Sequence, residues 1–151
     1  MPLAPLAEIR AKVGQEVGLS DWLDITQDRI TKFADSTEDH QFIHVDPAAA
    51  AQTPFGGTIA HGFLSLSLLS RMAADVMQVP DSMKMAVNYG LDRVRFIAPV
   101  RAGSRVRGRF TLDAVEDKAP GQLLMRHNVT VEIENQAKPA LTAQWLGLLF
   151  I

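Results

Sequence analysis

The chain has 151 residues, and its 47% hydrophobic and 21% charged content is that of a globular protein, which excludes disorder. Fifteen Lys and Arg against seventeen Asp and Glu give a formal net charge of -2. That balance offers no electrostatic footprint for nucleic acid or an anionic membrane, so small molecules and proteins are the expected partners.

A chain of this length buries roughly 70% of its unfolded surface as one domain, and residues 1–151 are expected to form a single one. With no Cys, disulfides, thiolate-held zinc and cysteine nucleophiles are excluded. The opening MPLAPLAEIRAKVG lacks the basic-then-apolar order of a secretory signal, and no run reaches the ~18 apolar residues of a membrane helix. The expected location is cytoplasmic.

Leu6, Ile9 and Val13 recur at helical spacing before Gly14 and predict a short first helix. Val17 to Ile25 reads as extended. Thr26 then suits an N-cap for a helix from Gln27 to Ser36, with Ile30, Phe33 and Ala34 as its apolar stripe. Asp46-Pro47 is a second helix start, Asp accepting backbone N–H groups while Pro occupies the first helical position. The segment between, EDHQFIHVDP from Glu38 to Pro47, is expected to be an irregular connection.

Ile59 to Met77 is apolar almost all round and predicts a long helix buried inside a core. Four strand-like segments follow, Met85–Phe96, Ser104–Glu116, Leu123–Glu134 and Pro139–Phe150, separated by turn-forming APVRAG, DKAPG and ENQAKP. Val129, Val131 and Ile133 fall on one face, Thr130, Glu132 and Glu134 on the other. Strands in succession without crossover helices imply an antiparallel sheet. The expected fold is therefore α+β, a curved antiparallel sheet wrapped around a long buried central helix.

Three readings compete for EDHQFIHVDP. His40 and His44 have the spacing of the zinc motif H-E-x-x-H, but Gln41 stands where that motif needs its Glu, and the motif requires a helix to put both His on one face. A polar structural loop is the second reading. In the third, Asp39 and His44 form a metal-free acid–base pair, the carboxylate orienting the imidazole and raising its basicity.

Ile59-Ala60-His61-Gly62 opens the apolar helix, whose first N–H groups are free and carry partial positive charge. Gly62 lets a substrate approach the backbone, so its N–H can polarise a carbonyl oxygen. His61 reads as a satisfied structural residue, and His127, between Arg126 and Asn128 on a predicted strand, as exposed or structural.

Taken together, FADSTEDHQFIHVDP (Phe33 to Pro47) and PFGGTIAHGFLSLSLLSRM (Pro54 to Met72) resemble the hydratase motif and central helix of the MaoC-like, R-specific enoyl-CoA hydratases. NYGLDRVRFIAPVRAGSRVRG (Asn88 to Gly108) resembles the strands that follow in the nodulation-protein-N-like branch and its mycobacterial hydratase relatives. The resemblance implies a hot-dog fold, a homodimer, and reversible syn addition of water to a trans-2-enoyl-CoA, giving an (R)-3-hydroxyacyl-CoA.

It further implies that Asp39 and His44 handle the water and the proton at C2, and that the Gly62 N–H binds the thioester oxygen. Ile59, Ala60, His61, Gln41, Tyr89, Gly90 and Arg93 would surround the substrate. Many members carry Asn in a D-x-N-P-x-H motif where this chain has Gln41 and Phe42.

Neither a metal nor a cofactor is expected, coenzyme A arriving as part of the substrate. Lys84, Arg93, Arg95, Arg101 and Arg105 are the cations available for its phosphates, and Leu64, Leu68, Met72 and Met85 are expected to set pocket depth. An acyl-CoA thioesterase and a non-catalytic acyl-thioester-binding protein are the alternatives.

Overall fold

Thr26 caps the helix that follows it, its Oγ1 accepting the Arg29 N–H at 3.2 Å, and the same local rules govern the other elements. In the computed structural model, which describes residues 1–151, the chain begins with β1 (Leu3–Ala4), α1 (Leu6–Arg10), β2 (Glu16–Leu19) and β3 (Leu23–Ile25). Then come α2 (Gln27–Thr37), α3 (Phe42–Val45), α4 (Pro47–Ala50), α5 (Gly62–Ser67) and α6 (Leu69–Val76). The remainder is β4 (Val79–Pro80), β5 (Met85–Phe96), β6 (Ser104–Ala119), β7 (Gln122–Ile133) and β8 (Leu141–Phe150).

The principal sheet runs β2-β6-β7-β8-β5, with β3 also paired to β6, and every pairing in it is antiparallel. The four long strands match the predicted segments closely. On β7 the alternation holds, Leu123, Met125, Val129, Val131 and Ile133 facing inward and buried. The stretch from Val17 to Ile25 forms two short strands rather than one, both lying on β6.

α5 and α6 cross the inner face of this sheet. Leu64, Leu69, Met72 and Ala73 pack against Val106, Phe110, Val129, Val131 and Leu141 in a core of seventeen buried residues. Each fully buried Leu or Met contributes roughly 1.5–3 kcal/mol, so this interface fixes where the amino terminus of α5 sits. A second cluster, Ile9, Leu112, Leu123, Met125 and Leu149, closes the far end under α1.

The central helix differs from expectation in two details. It starts at Gly62, is interrupted at Leu68, and ends at Val76. It is also buried on one side only: Phe63 is 69% exposed, and the facing edge strand β5 exposes Met85, Val87, Tyr89 and Leu91. The sheet of a single chain covers one flank of the helix and leaves β5 with β8 as its sole neighbour.

Candidate active site

α2 ends at Thr37, and Glu38 turns the chain out of it in the left-handed conformation, with φ 60. The next residues, Asp39 and His40, are exposed. The connection is not irregular throughout, because Phe42–Val45 forms one helical turn, α3, that carries His44 inward. Asp46 then starts α4 as predicted, its Oδ1 accepting the N–H groups of Ala48 and Ala49 at 3.0 Å each.

His40 lies before that turn, points to solvent and pairs with Asp35 at 2.9 Å. The zinc-motif spacing therefore places its two imidazoles in different surroundings. Asp35 raises the pKa of His40, chiefly through their hydrogen bond. Gln41 is exposed at the N-cap of α3 and makes no side-chain capping bond.

His44 is 7% exposed. Its Nδ1 lies 2.7 Å from the Ile59 carbonyl oxygen, and a carbonyl only accepts, so Nδ1 carries the proton and Nε2 is left with a free lone pair. Burial pushes the His44 pKa below 6.5, opposed by the Ile59 bond and aided by nearby His61. The turn is tied down on its other side by Gln27, whose Nε2 donates to the His44 carbonyl at 2.8 Å and whose Oε1 accepts from Thr58 Oγ1 at 2.6 Å.

His61, at the N-cap of α5, is 3% exposed and stacks on His44 with ring centroids 3.8 Å apart. Its Nε2 lies 2.9 Å from the Asp39 carbonyl oxygen, so it donates there. Phe33 of α2 packs against its ring at 5.1 Å. Asp39, His44 and His61 each bring one ligand-type atom within 4.8 Å of the others. The two imidazole planes are stacked at 24°, and each ring already donates one N–H to a backbone carbonyl.

Gly62 occupies the first helical position of α5, where its N–H has no acceptor within the helix. It borders a cavity of about 290 Å³ shared with His44, Ile59, Ala60, Ser65 and Phe96. Any side chain at Gly62 would meet Phe96, since a Cβ there would stand 2.9 Å from the ring. The absence of a Cβ is thus a packing requirement as well as an opening for a ligand.

Tyr89 and Gly90 line a neighbouring cavity with Phe33, Phe63, Leu66 and Trp145. Arg93 is not brought to either cavity. It sits at a β5 irregularity with φ 52 and faces the polar outer side of the sheet beside Asn128 and Gln144. Leu64, Leu68, Met72 and Met85 line no cavity either. Leu64 and Met72 are committed to the core, and the spaces lie along the helix face of Leu66, Ser70, Ala73 and Met77.

Two features of the site and its surroundings were not read from the sequence. Nothing in the sequence marks Gln27 as the clamp on His44, because the pairing spans seventeen residues and depends on how α2 meets α3. His127 is 2% exposed, correcting the alternative that placed it on the surface. Its position did carry a signal, since counting back by two from Val129 puts His127 on the inward face.

The MaoC-like domain model matches residues 8–135. Nodulation protein N of Rhizobium leguminosarum bv. viciae is 53% identical over 145 residues, covering 95% of this chain and 90% of that protein. The 3-hydroxyacyl-thioester dehydratase Z of Mycobacterium tuberculosis is 50% identical over 139 residues, covering 92% and 91%. Among solved structures, the (R)-hydratase from Aeromonas caviae superimposes with a TM-score of 0.73 at 24% identity, over 89% of this chain and 94% of that one, a likeness of fold. No helix is long and apolar enough to cross a membrane. With the matched model spanning most of its length and relatives at least 50% identical over nine-tenths of both chains, the chain belongs to the MaoC-like domain family.

Proposed function

We propose that the protein catalyses the reversible, (R)-specific hydration of trans-2-enoyl-CoA to (R)-3-hydroxyacyl-CoA, acting as a hydro-lyase. The observation that carries this reading is the His44 Nδ1 bond to Ile59, which fixes the tautomer and leaves Nε2 as a proton acceptor beside Asp39. Names of the relatives support it: 3-hydroxyacyl-thioester dehydratase, 3-hydroxybutyryl-CoA dehydratase and (R)-specific enoyl-CoA hydratase.

In this mechanism Asp39 and His44 hold a water between them. His44 Nε2 takes its proton as the oxygen adds to C3, and the electron pair of the double bond moves toward the thioester oxygen. The Gly62 N–H donates to that oxygen, a contact worth about 10²–10³ in rate. The proton is returned to C2 on the face from which the water came, giving syn addition, and the acid–base pair contributes a further ~10²–10⁴. Every group in the scheme belongs to the chain or the substrate, so we propose that neither metal nor cofactor takes part.

Of the cations, Arg95 and Arg101 make no ion pair, whereas Arg105 is committed to Glu134. The backbone of Arg101 pairs with Ile59, which lines the His44 cavity, and its guanidinium lies by Gly56, a placement that favours it for the coenzyme phosphates. A homodimer through β5 is part of the proposal, supported by an edge strand apolar and exposed at Met85, Val87, Tyr89 and Leu91. Sedimentation of a stable monomer at micromolar concentration would overturn it.

Loss of enoyl absorbance from crotonyl-CoA tests the reaction, and the chirality of the product tests its stereochemistry. Activity that survives Asp39→Asn and His44→Ala separately would overturn the assigned roles. Thiol release from a saturated acyl-CoA would point instead to a thioesterase.

A further inference from the structure

A third cavity, of about 260 Å³, lies between the helix and the sheet, with Met1 and Val87 on its exposed side. It is bordered by Ala73 and Met77 of the helix and its end, and by Met125, His127 and Leu149 of the sheet. Ser70, Asn88 and Trp145 border this cavity and also the one that contains Tyr89, so the two adjoin. The adjoining cavity begins at Phe33, whose ring contacts His61. Two adjoining cavities thus run along the helix to His127, starting from the Phe33 ring that packs on His61 and, at Phe63, one residue on from the Gly62 that borders the His44 cavity.

His127 is the odd member of its surroundings. Its strand neighbours on the inward face are Met125 and Val129, and its cross-strand partners are Leu112 and Trp145. Burial alone pushes its pKa down to about 4, with no hydrogen bond contributing, so the ring is neutral at physiological pH. A neutral imidazole holds one N–H donor and one lone-pair acceptor, and leaving both unmade inside a core is costly. His127 is one of the residues that line this cavity, and its side chain makes no hydrogen bond within the chain.

We propose that this cavity receives the distal part of a medium-length acyl chain bearing a hydroxyl group, with His127 as the hydrogen-bonding anchor that selects it. The proposal rests on the acyl-thioester reading above and adds a preference at the far end of the substrate. A hydroxyl both donates and accepts, so it pairs with either ring nitrogen, and the methyl end of a plain chain pairs with neither. The eight helical steps from Gly62 to Ser70 place the neck of the cavity roughly 12 Å along the helix from the thioester end, beyond the reach of a short acyl group. Asn88 and Ser70 at the neck give a polar chain end a path inward.

Titration calorimetry with saturated acyl-CoAs, which cannot be hydrated, reads this preference directly. Plain and ω-hydroxy chains from octanoyl to tetradecanoyl are compared on the wild type, His127→Leu and His127→Asn. At the best-fitting length the wild type is expected to bind the hydroxylated chain about tenfold more tightly, which is about 1.4 kcal/mol. His127→Leu is expected to reverse the preference in favour of the plain chain, and His127→Asn to keep part of it. Equal or weaker binding of the hydroxylated chains at every length, a preference that persists in His127→Leu, or no binding at any length would each overturn the proposal. Failure to hydrate crotonyl-CoA would overturn the reaction instead, without altering what these saturated ligands report.

Discussion

The ring of His61 lies flat against that of His44, 3.8 Å between centroids and 24° between planes, while its Nε2 donates to the backbone carbonyl of Asp39. One imidazole thereby sets the positions of both members of the proposed acid–base pair. His61→Ala is expected to leave α5 in place, because its side chain makes no capping bond, yet to loosen both groups. Misplacement of reacting groups by about 1 Å can cost 10²-fold. Steady-state kinetics should show a loss approaching that size in kcat with little change in KM.

Gln27 offers a second way to disturb His44 without touching its ring. Gln27→Glu replaces the amide donor with an acceptor, setting a carboxylate against the His44 carbonyl while the Thr58 hydroxyl can still donate. Leaving this part-buried carbonyl without its donor costs up to about 1–3 kcal/mol, and the carboxylate adds a repulsion that Gln27→Ala would not. A fall of that size in denaturant midpoint stability, accompanied by reduced kcat, is the expected result, and Gln27→Ala should be milder.

The pH dependence of activity follows from His44. As the proton acceptor it must be neutral, and burial pushes its pKa below 6.5, so the acid limb of kcat/KM should have its midpoint below 6.5. Above that the profile should stay flat through neutrality. Initial rates across buffers of constant ionic strength check it.

Stability has its own pH dependence, and His127 contributes to it. The folded pKa is about 4 and the unfolded one 6.5, so as pH falls between them the unfolded chain takes up a proton that the folded chain refuses. Stability is therefore whole above 6.5 and lower by about 3 kcal/mol once pH reaches the folded value. Urea midpoints measured from pH 7 to 4 should fall steeply in the wild type and distinctly less in His127→Leu.

At Gly62 the expected cost is steric. A Cβ would meet the Phe96 ring at 2.9 Å, and overpacking of this kind typically costs 1–3 kcal/mol. Phe96 is itself 51% exposed, so Gly62→Ala with Phe96→Ala should be more stable than the sum of the single changes predicts. Thermal melts of the four proteins close that cycle.

Where the sequence carried local rules, it foretold the structure well. Thr26 and Asp46 cap helices at the residues predicted, and the alternation through Val129, Val131 and Ile133 placed β7 and its inward face. Motif spacing also acts over a short range, and it brings Asp39 beside His44 while His44 and Gly62 border one cavity. What stayed hidden depends on packing between distant segments: the Gln27 clamp, the stacking of His61 on His44, and the helix flank left uncovered by the sheet. Leu64 and Met72 were misplaced for the same reason, since an apolar helix does not display which of its faces meets the sheet. Arg93 was displaced from the site by a β5 irregularity that its sequence does not announce.

The strand order has a consequence for how the chain comes to be folded. β5 is made before β6, β7 and β8, yet its hydrogen-bonding neighbour is β8, the last of them. Throughout synthesis of the intervening strands β5 has no edge to join, and its backbone N–H and C=O groups wait unpaired beside a helix that can already form. Pairing across such a separation is slow and exposes the chain to association with others. Nascent chains halted before Leu141 should therefore engage chaperones through the Met85–Phe96 segment, and release should coincide with emergence of β8 from the ribosome.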